Sequence, residues 1–165
     1  MKKSLLLTIK LSLLTILSSC TPVAPPCPNS TSTSEKSPSA GCFSLYQGKL
    51  LVVEDFKGQI SIPGGSSLKD ENSRCAAYRE TWEETGLETQ PKELIRQFEN
   101  GFHLYHCELT TTQEALSPPF KMEIKRAFWL ATEDFPKYQW RFPEQMTWLA
   151  KLIQQRDAQT TSKAQ

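Results

Sequence analysis

Gly65-Ser66-Ser67-Leu68-Lys69-Asp70-Glu71-Asn72-Ser73-Arg74-Cys75-Ala76-Ala77-Tyr78-Arg79-Glu80-Thr81-Trp82-Glu83-Glu84-Thr85-Gly86-Leu87 is the stretch that decides the fold. Its first part is rich in Gly and Ser and reads as a loop. From about Asn72 to Thr85 it contains no Gly or Pro, and Gly86 supplies a C-terminal stop, so a helix is expected there. On that helix Glu80, Glu83 and Glu84 stand at i, i+3 and i+4 and share one face. Arg79 lies one turn before Glu83. Clustered like charges are mutually unfavourable, and more so when partly buried. A solvated acidic face would tolerate them; a divalent cation would make them favourable, because carboxylate oxygens are ligands for Mg²⁺.

The same residues resemble the Nudix box: Gly, five residues, Glu, seven residues, then Arg-Glu-aliphatic-any-Glu-Glu-any-Gly-aliphatic. Gly65, Glu71, Arg79, Glu80, Glu83, Glu84 and Gly86 meet all seven fixed positions, and Leu87 the last aliphatic one. Thr81 departs from the other aliphatic position. At roughly one in sixteen per position, chance would produce seven such matches in this chain less than about once in a million. The resemblance implies an α/β (α+β) fold, a Nudix-like α/β/α sandwich with a mixed β-sheet between helices.

It also implies roles. Glu83 and Glu84 would be principal ligands of Mg²⁺ (or Mn²⁺), and Glu80 a third ligand or the group that orients or deprotonates the attacking water. Arg79 would position Glu80 through a charge-assisted hydrogen bond. Glu71 would stabilise the loop or join an outer shell, and Gly86 would end the helix. Gly64 and Gly65 would let the backbone approach a diphosphate. The metal would neutralise diphosphate oxygens and lower the pKa of the water that attacks phosphorus. Glu123, ahead of the apolar run ending Trp129-Leu130, is the candidate for a further carboxylate.

Outward from the box, Phe43 and Leu45, then Leu50-Leu51-Val52-Val53, read as two strands split by the turn Tyr46-Gln47-Gly48-Lys49. Further strands are expected at 59–63, 94–98, 102–109 and 123–130. A closing helix is expected over 143–155, with Met146, Leu149, Ala150 and Ile153 on its apolar face. Residues 157–165 read as a polar tail. Phe102, His103, Tyr105, Trp140 and Phe142 offer rings for stacking, although aromatics at such positions more often belong to the core. His103 and His106 lie three apart in a strand, face opposite ways, and cannot form a compact metal pair.

The N-terminus tells of export. Residues 1–19 carry Lys2, Lys3 and Lys10, no acid, and the apolar run 11–17, the pattern of a secretory signal. Leu17-Ser18-Ser19-Cys20 resembles a bacterial lipobox, which implies lipidation of Cys20 and membrane attachment. A cell-envelope location follows, at the outer membrane facing the periplasm in a Gram-negative source. Residues 20–40, dominated by Pro, Ser and Thr, read as a tether, and residues 41–156 as the hydrolase domain.

Loss of the three leader lysines takes the 19 basic residues to 16, against 18 acidic. A slightly acidic chain has no electrostatic reason to bind a nucleic-acid polymer. Export makes disulfides among Cys27, Cys42, Cys75 and Cys107 the expectation. The favoured pairing is Cys75–Cys107 with Cys27–Cys42, although Cys42 and Cys107 would also pair if they are neighbours in the sheet. The expected activity is metal-dependent hydrolysis of a phosphoanhydride (pyrophosphate) bond. Its substrate would be a nucleoside diphosphate linked to another group or a related envelope diphosphate. The alternative is a non-catalytic Nudix-fold ligand-binding or envelope-interaction lipoprotein.

Overall fold

The computed structural model describes residues 22–28, 35–110, 116–120 and 122–163. The proposed leader and Cys20 lie outside these residues. No described helix is long and apolar enough to cross a membrane.

Among the described residues nine strands run in chain order: β1 Ser39–Phe43, β2 Leu45–Tyr46, β3 Lys49–Asp55, β4 Gln59–Ser61, β5 Gly64–Ser66, β6 Thr89–Gln97, β7 Phe102–Leu109, β8 Ile124–Leu130 and β9 Gln139–Trp140. Helix α1 spans Ser73–Thr85 and α2 spans Pro143–Lys163, and a 3₁₀ turn covers Thr132–Lys137. The strands form two mixed sheets rather than the one expected. The first has the order β5-β1-β7-β6, with β1 and β7 parallel. The second runs β2-β3-β4-β9, with β8 also on β3 and with β4 and β9 parallel.

Alternation along the strands sorts the interior into two clusters. Ala40, Cys42, Tyr105 and Cys107 pack with Ala76 and Ala77 of α1. Phe43, Leu50, Val52 and Leu104 pack instead with Leu149 and Ile153 of α2. The helices therefore cover opposite faces, as the sandwich reading requires. Small residues on the buried side of α1 let the helix lie close to β1. Thr81, the departure from the family pattern, is fully buried, and its hydroxyl donates to the Ala77 carbonyl at 2.7 Å. A threonine is tolerated there because the helix itself satisfies its one polar group.

Three expectations are corrected. Helix α2 continues to Lys163 rather than stopping near 155, so much of the supposed tail is helical. Strand β6 begins at Thr89, five residues early, and passes through Pro91. It is the sheet's edge strand, where a missing amide donor is tolerated. Part of the Pro/Ser/Thr-rich stretch is docked: the Glu35 carbonyl accepts from both the amide and the hydroxyl of Ser73, each at 2.9 Å, and β1 starts at Ser39.

The cysteine pairing is corrected too. Cys42 joins Cys107 and Cys27 joins Cys75, each with a Cα separation of 5.4 Å. Parallel pairing sets Cys42 opposite Tyr105, which leaves Cys107 two residues on and on the same face. Cys75 lies in the first turn of α1 and lines a cavity with Pro22, Val23, Ala24, Pro25 and Cys27 on one side and Tyr78, Arg79 and Glu83 on the other. The Cys42–Cys107 bridge closes 65 residues. Replacing both cysteines by Ala should therefore lower stability by about 4 kcal/mol on chain-entropy grounds, read from urea unfolding. A loss below about 1 kcal/mol would count against a bridge that constrains the unfolded chain.

Candidate active site

Helix α1 is positioned at both ends. The Asn72 side chain accepts from the Arg74 amide at 2.8 Å. At the other end Gly86, at φ 77°, donates its amide to the Trp82 carbonyl at 2.8 Å. Between these caps the carboxylates face β5. That strand approaches β1 so closely that a Cβ on Gly64 would sit 2.6 Å from the Ala40 oxygen.

The box residues form one network. Arg79 donates to both oxygens of Glu71 at 2.9 and 3.0 Å, to Glu80 at 2.8 Å, to Glu83 at 3.1 Å and to the Ser66 carbonyl at 2.8 Å. Glu71 also accepts the Leu68 amide at 2.8 Å, so it ties the loop to the helix. Glu84 turns the other way and accepts the Gly64 amide at 2.8 Å.

Electrostatics separate these groups. Burial pushes the Glu84 carboxyl up to about 8; the Gly64 amide opposes this, while Glu80 and Glu123 add to it. Burial also raises Glu80 above the ordinary carboxylate range, against the pull of Arg79. For Glu71 burial is outweighed by the Arg79 and Leu68 donors, and its pKa falls. Burial works against the charge on Arg79 as well, but its bonds to Glu71 and Glu80 hold the guanidinium more firmly protonated.

A cavity of about 410 Å³ gathers Glu80, Glu83, Glu84, Glu123, Gly64 and Gly65. The structure thus brings Glu123, the residue before β8, to the box. Two further charged residues line it: Asp55, at the end of β3, and Arg141, after β9. Neither stands at a recognisable spacing from the box. Asp55 is engaged in its own turn, accepting the amides of Lys57 at 2.8 Å and Gln59 at 2.9 Å. Of the stacking candidates, Tyr105 and Trp140 are core residues and His103 is buried; Phe102 and Phe142 line the neighbouring cavity.

Among the described residues, no three His, Cys, Asp or Glu side chains converge as a ready-made metal cage. Glu80 and Glu83 turn to Arg79, and Glu84 to Gly64. The donor set still fits a hard cation: it is all carboxylate oxygen, it lies on one cavity, and its buried member carries an unfavourable charge that a cation would offset.

A family model of the Nudix domain matches residues 35–152. Phosphatase NudJ of Escherichia coli (strain K12) is 39% identical over 102 residues, which cover 56% of this chain and 67% of that protein. Among solved structures, a NUDIX hydrolase from Nitrosomonas europaea superposes with a TM-score of 0.62 at 18% identity, covering 77% of this chain and 75% of its own. An ADP-ribose pyrophosphatase from Streptococcus suis 89-1591 gives 0.57 at 17% identity, covering 69% and 89%. The chain belongs to the Nudix domain family and shares the fold of Nudix hydrolases.

One glycine offers a test of this geometry. A Cβ on Gly65 would collide with Glu80 Oε2, the movable end of a side chain. Gly65→Ala should therefore displace Glu80 while leaving the backbone in place. The expected result is a loss of kcat/KM of about 10²-fold, with stability changed by less than about 1 kcal/mol. Unfolding of the variant, or unchanged turnover, would show that Gly65 serves another purpose.

Proposed function

We propose that this protein hydrolyses the phosphoanhydride bond of a nucleoside diphosphate linked to another group, or of a related envelope diphosphate, with Mg²⁺ or Mn²⁺ held at the α1 carboxylate face. The observation that carries this reading is the convergence of Glu80, Glu83, Glu84 and Glu123 on one cavity bordered by the Gly64–Gly65 backbone. Glu83 and Glu84 are the principal ligands proposed, with Glu80 and Glu123 beside them. When bound, the cation supplies positive charge against the diphosphate oxygens.

The chain's own residues do the rest. Arg79 holds Glu80 in place at 2.8 Å. Glu80, its pKa raised by burial, is the group proposed to take the proton from the attacking water. Gly64 and Gly65 allow the diphosphate to lie against the backbone, and Arg141 offers a cation at the cavity rim.

The test is a turnover screen of the purified full chain with Mg²⁺ against nucleotide sugars, dinucleoside polyphosphates, nucleoside triphosphates and prenyl diphosphates. Metal-dependent turnover that disappears in Glu83→Gln is expected. No turnover on any of them, or turnover unchanged in that variant, would sink the reading. The proposed location is the cell envelope, through a lipid on Cys20; Cys20→Ala should move the protein out of the membrane fraction, and retention there would count against the anchor.

A further inference from the structure

A run of Pro, Ser and Thr that is free along its length would hold a domain away from its anchor. Here the Cys27–Cys75 bridge removes that freedom by pinning residues 22–27 to the first turn of α1. Together with Glu71, Arg79 and Glu83 this strap encloses a cavity of about 370 Å³. Glu83 lines the carboxylate cavity as well, so the strap runs along the edge of the proposed metal site. Cys20 precedes Pro22 by two residues, and two extended residues reach about 7 Å. A lipid on Cys20 therefore enters its bilayer beside the carboxylate site.

Three large apolar side chains near that edge are uncovered. Val23 of the strap is 83% exposed, Met122 86% and Phe56 64%. Met122 lines the carboxylate cavity. Asp55 lines it too and pairs with Ile124, so Phe56 and Met122 lie at the same end of adjacent strands. Single exposed apolar residues need no partner, but three around one site, beside the point where a lipid enters, have one at hand. A bilayer interface takes such side chains because their apolar groups leave water there. Lys57, exposed next to Phe56, has the reach to keep its ammonium among the lipid phosphates.

We propose that Val23, Phe56 and Met122 rest on the bilayer that holds Cys20, and that the strap fixes the carboxylate cavity at the membrane surface. The inference rests on the lipid anchor proposed above and adds the face that the domain turns to the membrane. The bridge is what sets it. Released from Cys75, the chain would next be held at Glu35, whose carbonyl accepts from Ser73. The stretch from Cys20 to Glu35 would then span about 20 Å, enough for the domain to present another face.

Hydroxyl-radical footprinting tests this apart from turnover, because Met and Phe side chains are oxidised at rates that follow their exposure to water. The acylated protein, expressed from the full chain, is reconstituted into vesicles of phosphatidylethanolamine and phosphatidylglycerol and compared with Cys20→Ala in solution. Met146 is the reference, since it packs on α2, the helix that covers the opposite face. Oxidation of Met122 relative to Met146 should fall at least about fivefold on vesicles, and Phe56 should follow it. Replacing Cys27 and Cys75 by Ser should bring the ratio back to within about twofold of its solution value. A second variant, with about 20 Gly and Ser residues inserted after Thr21, keeps both bridges and should do the same. If the serine pair unfolds the chain, the insertion decides alone. A ratio equal on vesicles and in solution, or one that stays low in either folded variant, would overturn the proposal and leave the anchor standing. Mass spectrometry of the extracted chain reads acylation directly, and a chain without acyl groups would overturn the anchor and this inference together.

Discussion

Glu84→Gln should lower kcat/KM by about 10³-fold while making the metal-free protein more stable at pH 8. The two effects have one cause. Glu84 is a buried carboxyl whose pKa is pushed up to about 8 by burial first, with Glu80 and Glu123 adding to the shift. In the unfolded chain it ionises near 4.5. A carboxyl with a raised folded pKa favours the folded state fully below the unfolded value, and that contribution is lost as pH rises through the folded one. Stability of the metal-free protein should therefore fall between about pH 4.5 and 8, and burial-raised Glu80 acts in the same direction.

Glutamine keeps an oxygen to accept the Gly64 amide but carries no charge, so the pH slope should flatten in the variant. Added Mg²⁺ should restore more stability to the natural protein at pH 8 than at pH 5, because a cation must displace the proton. Glutamine is a poorer ligand than a carboxylate, and with it the metal and the turnover should go. Urea unfolding across this range with EDTA or Mg²⁺, together with steady-state kinetics, reads all three. A variant with unchanged kcat/KM, or one less stable than the natural protein at pH 8, would remove Glu84 from the role assigned to it.

A large structural penalty is also expected from Arg79→Ala. That side chain is only 15% exposed and pairs with Glu71, Glu80 and Glu83 at once. Its removal would leave three partly buried carboxylates facing one another with no counter-charge. Breaking one partner out of such a pair typically costs about 3–5 kcal/mol, which would lower the thermal midpoint of a domain this size by roughly 10 °C. Activity should fall as well, since Glu80 loses its 2.8 Å restraint.

Lysine should rescue little, because a single ammonium cannot span the three directions that the guanidinium reaches. The companion change Glu71→Gln, which removes one of the stranded charges, should recover part of the loss in the double variant. Arg79→Ala at a cost below about 1 kcal/mol, or additive losses in the double variant, would show that the network is not held through this residue.

Much of the site was legible because its members lie within a single turn or two of one helix. The spacing of Glu80, Glu83 and Glu84 fixes their common face whatever surrounds them, and Asn72 and Gly86 mark the helix ends by backbone chemistry local to those residues. Strand β7 appeared where its alternation placed it, from Phe102 to Leu109. Less was legible where a long-range partner made the decision. Pro91 argues against a strand in isolation, but the edge of a sheet accommodates it. Strand β9 is too short to announce itself, and it depends on the parallel hydrogen bonds of β4. The Cys42–Cys107 disulfide followed the parallel pairing of β1 with β7, a register that local sequence does not encode.

From the order of residues alone came helix α1, its acidic face and the family to which the chain belongs, because helical periodicity is a property of consecutive residues. Tertiary structure alone decided what stands opposite that face. Packing of β3, β8 and the segment after β9 brings Asp55, Glu123 and Arg141 to the carboxylates. Those contacts span many tens of residues, and only the burial of the shared core selects them.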